Sequence, residues 1–159
     1  MAEELNNISL STKKSFRIDG DNSRIIYLDT SDMNILVRME EVYPEIQKLA
    51  VDACDRIAMA KTNEDDDSPI NDISEILKDI DHKMREKLNY IFASEIADIC
   101  EPTGNMYDPV NGEFRFEHII EVISGLYANN ITAEFKKMQT RVKKHTDKYT
   151  SKRNSKSRK

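Results

Sequence analysis

Three histidines (His82, His118 and His145), two cysteines (Cys54 and Cys100) and 29 acidic residues are the groups in this 159-residue chain best suited to acid–base chemistry or metal binding. The histidines are widely separated and flanked by charge, a setting of exposed helix faces rather than of a ligand cluster. Cys54 and Cys100 form no CxxC and have no histidine nearby; each lies in an apolar periodic segment and reads as a small buried hydrophobe. Asp65-Asp66-Asp67 has the acidity of a calcium loop, but no glycine follows at the EF-hand position and Pro69 interrupts the spacing, so a solvated acidic linker is the better reading. Adjacent acids such as Glu3-Glu4 and Glu40-Glu41 point away from each other on a helix and make no acid–base pair. No P-loop, GxGxxG, GxSxG or HExxH occurs. Without a nucleophile, base and orienting group in any recognisable spacing, the expectation is a protein that is not an enzyme: no catalytic residue, no metal and no cofactor.

Charge is more informative by position than in total. The formal net charge is −5, from 24 basic and 29 acidic residues. Residues 136–159 hold eleven of the basic residues and one acid, Asp147, so a segment of +10 is attached to a body of −15. That segment has three readings, taken in this order: a solvated helix end, an electrostatic arm for an acidic protein partner, and a phosphate-binding tail. Nucleic acid comes last because only Tyr149 interrupts the basic run, which leaves no aromatic platform for bases. The start, Met1-Ala2-Glu3-Glu4-Leu5, is acidic and unlike a signal peptide. No stretch approaches the ~18–20 apolar residues of a membrane-spanning helix. A cytoplasmic protein without membrane contact is expected.

The elements that must position these groups are mostly helical. Few glycines and prolines, four of each, argue against a many-turned β architecture. Phe16-Arg17-Ile18 and Arg24 to Leu28 are short β-prone runs around the turn-forming Asp19-Gly20-Asp21-Asn22-Ser23, which predicts an N-terminal hairpin. Thr30-Ser31-Asp32 offers N-caps for a first helix with apolar positions from Ile35 to Ile57, kinked or briefly broken at Pro44. Asp67 or Ser68 with Pro69 opens a second helix, striped from Ile70 to Ile99 and stopped by Glu101-Pro102-Thr103-Gly104-Asn105. A third stripe runs from Phe116 to Val142, with a bend allowed at Gly125 and Asn129-Asn130. The fold class expected is mainly α: three long antiparallel helices with a short N-terminal β-hairpin and a disordered basic C-terminal tail. Residues 1–15 form a flexible start, 16–147 one helical domain and 148–159 the tail. Two places are candidates for partner binding. One is the connection to the third helix, where Met106, Tyr107 and Val110 either tuck onto the core or face a partner. The other is the basic end, with Lys143, Lys144, Lys148, Lys152 and Arg153.

The order of these features resembles a known family. The hairpin from Phe16-Arg17-Ile18 to Ile26-Tyr27-Leu28 is followed by Asp29-Thr30-Ser31-Asp32-Met33-Asn34 and a helix bearing Arg38 and Tyr43-Pro44. Pro102-Thr103-Gly104-Asn105-Met106-Tyr107 then precedes an acidic-apolar helix with a Lys-rich end. Over roughly residues 16–150 this is similar to the small tail assembly chaperones of tailed phages and prophages of Gram-positive bacteria. The resemblance implies a non-enzymatic helical protein of the host cytoplasm. Its partners would be the tape measure protein and tail tube subunits during virion tail morphogenesis, with self-association left open. At Tyr107-Asp108 the chain departs from the family's Phe-Gly element, so no residue role is carried over. The alternative is a small helical nucleic-acid-associated or regulatory protein acting through its basic tail.

Overall fold

The computed structural model describes residues 5–62 and 69–156. The acidic linker and its N-cap candidates, Asp67 and Ser68, lie outside the described residues. The order of elements is β1 (Lys14–Arg17), β2 (Ile25–Leu28), α1 (Asn34–Thr62), α2 (Pro69–Phe92), α3 (Ala97–Cys100), β3 (Pro109–Val110), β4 (Glu113–Phe114) and α4 (Arg115–Lys156). The protein is therefore mainly helical, with three long helices and the expected N-terminal antiparallel hairpin.

In the β1–β2 hairpin Phe16 pairs with Ile26. Strand alternation buries Ile26 and Leu28 and leaves Tyr27 in solvent. Alone such a ribbon would be marginal, and it is fixed by side chains to its neighbours. Arg24 donates from Nε to the Ile99 carbonyl at 2.9 Å and from Nη2 to that of Cys100 at 2.6 Å. Ser94 Oγ donates to the Tyr27 carbonyl at 3.0 Å.

Asp32 acts as expected at the start of α1, accepting from the Asn34 N–H at 2.9 Å. The helix passes Pro44 without a break; Pro44 is exposed, so the carbonyl its ring leaves unpaired faces water. α1 and α2 are antiparallel. Arg38 donates to the Ile91 carbonyl at 2.8 Å, Tyr90 to Glu41 at 2.7 Å, Lys87 pairs with Glu45, and Arg56 with Asp79 at 2.9 Å.

The second helix is shorter than its apolar stripe. It stops at Phe92, not at the Pro102 breaker, because Ala93 adopts φ 48° and closes a Schellman cap. Ala93 N–H donates to the Tyr90 carbonyl at 3.2 Å and Ser94 N–H to that of Asn89 at 3.2 Å. The Asn89 side chain then accepts from the Ile96 and Ala97 N–H groups, both at 2.9 Å. Ile96 stays in the core, carried there by the turn instead of by the helix.

The long connection also contains structure that the stripes did not predict. Pro109–Val110 and Glu113–Phe114 form a two-residue hairpin around Asn111-Gly112, both at positive φ (52° and 84°). Before it, the chain runs back along α2: Asn105 Nδ2 donates to the Leu77 carbonyl at 3.1 Å and Met106 N–H to Asp81 at 2.7 Å. α4 thus starts beside the middle of α2 and rises with it. Phe116 N–H donates to the Met106 carbonyl, while eleven residues later the Tyr127 ring meets Phe92 at 6.0 Å. Asn130 Nδ2 reaches Ser31, ahead of α1, so α4 opposes α1. The antiparallel arrangement therefore holds for α1 against each of the other long helices, whereas α2 and α4 point the same way.

The core sits where these helices meet the hairpin. Met84, Leu88, Ile91, Ile96 and Met106 are fully buried, joined by Ile35, Val42 and Ile46 from α1 and by Phe116, Ile119, Ile123 and Tyr127 from α4. A smaller cluster, Ala53, Ile76 and Ile80, closes the far end of the α1–α2 pair. Cys54 departs from expectation: it is exposed, because one residue past the buried Ala53 is a 100° step off the inward face. Cys100 is half-buried, and burial pushes its thiol up to about 11.

α4 outlasts the body. Past Ile131 every described side chain to Arg153 is exposed, yet the helix continues to Lys156, beyond the boundary expected at residue 147. Lysine and arginine are good helix formers, and the threonines bond within the helix: Thr140 to Lys136 O, Thr146 to Val142 O and Thr150 to Thr146 O, each at 3.0 Å.

Candidate interaction surface

The candidate residues fall into two unlike settings. Met106 is fully buried and belongs to the core, so it is unavailable to a partner. Tyr107 is half-buried, its ring edge-on to Phe114 (5.4 Å) and to Phe116 (5.2 Å), with those two stacked at 5.6 Å. Burial, helped by the nearby Cys54 and Asp81, pushes its phenol up to about 12, and the hydroxyl has no hydrogen-bond partner among the described residues. Val110 is half-buried in β3. These residues are brought together as packing for the loop, and the loop itself is held from below.

The group that holds it is Arg85, which periodicity alone did not mark. Its guanidinium pairs with Asp81 at 2.9 Å and Asp98 at 3.0 Å. It also donates to the carbonyls of Glu101 and Gly104, both at 2.7 Å. Asp81 is used twice, since its other oxygen takes the Met106 N–H. Glu101 accepts from the Gly104 N–H at 2.8 Å, and Asp108 from the Asn105 N–H at 3.0 Å. Gly104 lets both carboxylates come close: a Cβ there would lie 2.8 Å from an oxygen of Glu101 and of Asp108, and those side chains would have to shift. The signal available in the sequence was Asp81 and Arg85 at i and i+4 on a helix that faces a loop with a free Asp and Glu.

Lys143, Lys144, Lys148, Lys152 and Arg153 all lie on the exposed part of α4. The same part carries Phe135, Met138 and Val142, respectively 45, 44 and 59% exposed. Their spacing of 3 and 4 continues the stripe that buries Ile123 and Tyr127 lower down, but nothing among the described residues covers it. At the base of α4 lies a groove of about 360 Å³ between α1 and α4, lined by Met39, Tyr43, Ile46, Phe114, Phe116 and Ile120 and edged by Glu117 and Glu121.

For metal chemistry, Glu113, His118 and Glu121 place one ligand atom each within 4.8 Å of one another, all three exposed. His82 is exposed and meets Glu86 at 3.3 Å, while the side chain of His145 lies outside the described residues. Among the described residues no helix is long and apolar enough to cross a membrane. No known family, curated protein or solved structure matches the chain.

Proposed function

We propose that this chain is a non-enzymatic tail assembly chaperone of a tailed phage or prophage, acting in the host cytoplasm to hold the tape measure protein and bring tail tube subunits to it. The observation that carries the reading is the uncovered apolar stripe Phe135, Met138 and Val142 on an arm of helix that extends beyond the core. A long helical client exposes an apolar face that aggregates unless another helix lies along it, and an amphipathic helix on a soluble acidic body suits that task. The anchored loop around Arg85 then serves to set the direction in which α4 leaves the body.

Co-expression tests it. A fragment of a tape measure protein from the same phage or prophage is expected to stay soluble with this chain and to be recovered with it after nuclease treatment. The complex should survive ~0.5 M salt and be lost in Phe135→Glu/Met138→Glu. The basic content of 136–159 favours the second reading, a nucleic-acid-associated protein. In that case recovery is nuclease-sensitive, falls steeply with salt and depends on residues 150–159, outcomes that overturn the chaperone reading.

A further inference from the structure

The arm and the groove are each half of a contact. The arm presents Phe135, Met138 and Val142, with Arg141 and Lys148 on one edge of the stripe and Lys136 and Lys143 on the other by the helical step of 100°. The groove presents apolar walls from Met39, Tyr43 and Ile120, with Glu117 and Glu121 at its edge and Glu113 beside them, and no basic residue lines it. In shape class and in charge the two are complementary.

The arm cannot fill the groove of its own chain. α4 is one unbroken helix, and at 1.5 Å per residue Met138 lies about 30 Å along the axis from the groove level at His118. A second copy has no such restriction. Ile120, Phe135, Met138 and Val142 fall within about 60° of one another around α4, so groove side and stripe share a face. Two α4 helices laid antiparallel about a twofold near residue 128 therefore set each arm on the other's groove at once. Met138 of either copy then reaches the level of His118 in the other, and Lys143 and Lys136, on the edge of the stripe, reach those of Glu113 and Glu121. Such a contact is closed by its own symmetry and adds no further copies.

We infer that the chain self-associates as a twofold dimer in which the basic, apolar-striped arm of each α4 lies in the acidic-edged α1–α4 groove of the other copy. The dimer uses the stripe assigned above to a client, so client and second copy compete for it. The inference itself is read on the purified chain alone. Its failure leaves the chaperone reading standing, and failure to hold a client leaves the dimer standing.

The test is light scattering and sedimentation of the full chain, with circular dichroism to check folding. The parent is expected at twice its 18.4 kDa chain mass at micromolar concentration. An arm variant, Phe135→Glu/Met138→Glu, and a groove variant, Tyr43→Lys/Glu121→Lys, change only exposed residues and should each raise the dissociation constant more than tenfold. Mixed one to one, they should pair again, because the intact arm of the groove variant finds the intact groove of the arm variant and the altered surfaces carry opposite charge. A parent that is monomeric at ~100 μM overturns the inference. So does a groove variant that dimerises as well as the parent, or a mixture that stays monomeric; the first of these is the result expected if arms pair only with arms.

Discussion

The loop at 101–108 and the arm at 132–156 are both rich in polar residues, and the fold treats them in opposite ways. In the loop, polar groups are consumed by neighbours far away in sequence: Arg85 alone takes two carboxylates and the carbonyls of Glu101 and Gly104. In the arm, the hydroxyls of Thr140, Thr146, Thr150 and Ser151 donate to carbonyls three or four residues back in their own helix. Polarity therefore does not decide which region is fixed. What decides it is whether another element supplies partners.

The harshest way to test the packed side of this contrast is Ile80→Asp. Ile80 is buried between α1 and α2, so an unpaired carboxylate there costs several kcal/mol, comparable with the whole stability of a domain this size, and the far-ultraviolet helical signal should collapse at 25 °C. Retention of the parent melting temperature would mean that this face is not core. Next, Arg85→Met keeps the apolar stem but strands Asp81 and the loop carbonyls. Urea unfolding should show a loss of about 3 kcal/mol, with hydrogen exchange rising first in residues 97–108. An effect below ~1 kcal/mol would show that the loop is held by its aromatic packing instead.

A smaller and pH-dependent effect is expected at Asp32. Burial opposes its charge, but the Arg38 guanidinium and the Asn34 N–H outweigh that and hold the carboxyl below its ordinary value of 3.8. A depressed folded-state value means stability that is present above that ordinary value and lost as pH falls through the folded one. Asp32→Asn should therefore cost about 1 kcal/mol at pH 7, and the gap to the parent should close as both are acidified through the lowered folded-state value. A constant gap across that range would remove the charge from the explanation. Ala93→Gly should go the other way: φ 48° strains alanine by ~1 kcal/mol, and glycine recovers part of this, raising stability by about 0.5 kcal/mol. Removing residues 150–159 should do least. Residues 150–153 are exposed, so the unfolding midpoint should stay within error while mean helicity falls; a clear destabilisation would show that the arm touches the body after all.

Much of this architecture was legible in the residues, and the gaps have identifiable causes. Asp32 before a 3–4 stripe and Pro69 at a helix start each act through one local bond or one fixed φ, so both could be placed from sequence. The end of α2 could not, because its cap residue is alanine, and a Schellman turn without glycine has no compositional mark. Asn111-Gly112 is a hairpin dipeptide, but strands only two residues long carry no alternation to go with it. The shared direction of α2 and α4 follows from Asn105 and Asp81, a contact between a loop and a distant helix that no period encodes. Of the candidate partner-binding residues, Lys148, Lys152 and Arg153 lie on helix where a disordered tail was expected, and Met106 is drawn into the core by its own hydrophobicity.

The arm also governs how this molecule moves through water. Residues 132–156 span about 37 Å as helix, close to the ~36 Å diameter expected for a compact body of some 130 residues. A sphere carrying a rod of its own width has far more friction than its mass implies. A single copy will elute early from a sizing column and sediment slowly, whereas two copies with arms laid back across each other form a stubbier particle whose friction rises less than its mass. Elution volume alone would therefore confuse the two states, while mass and friction measured together would separate them.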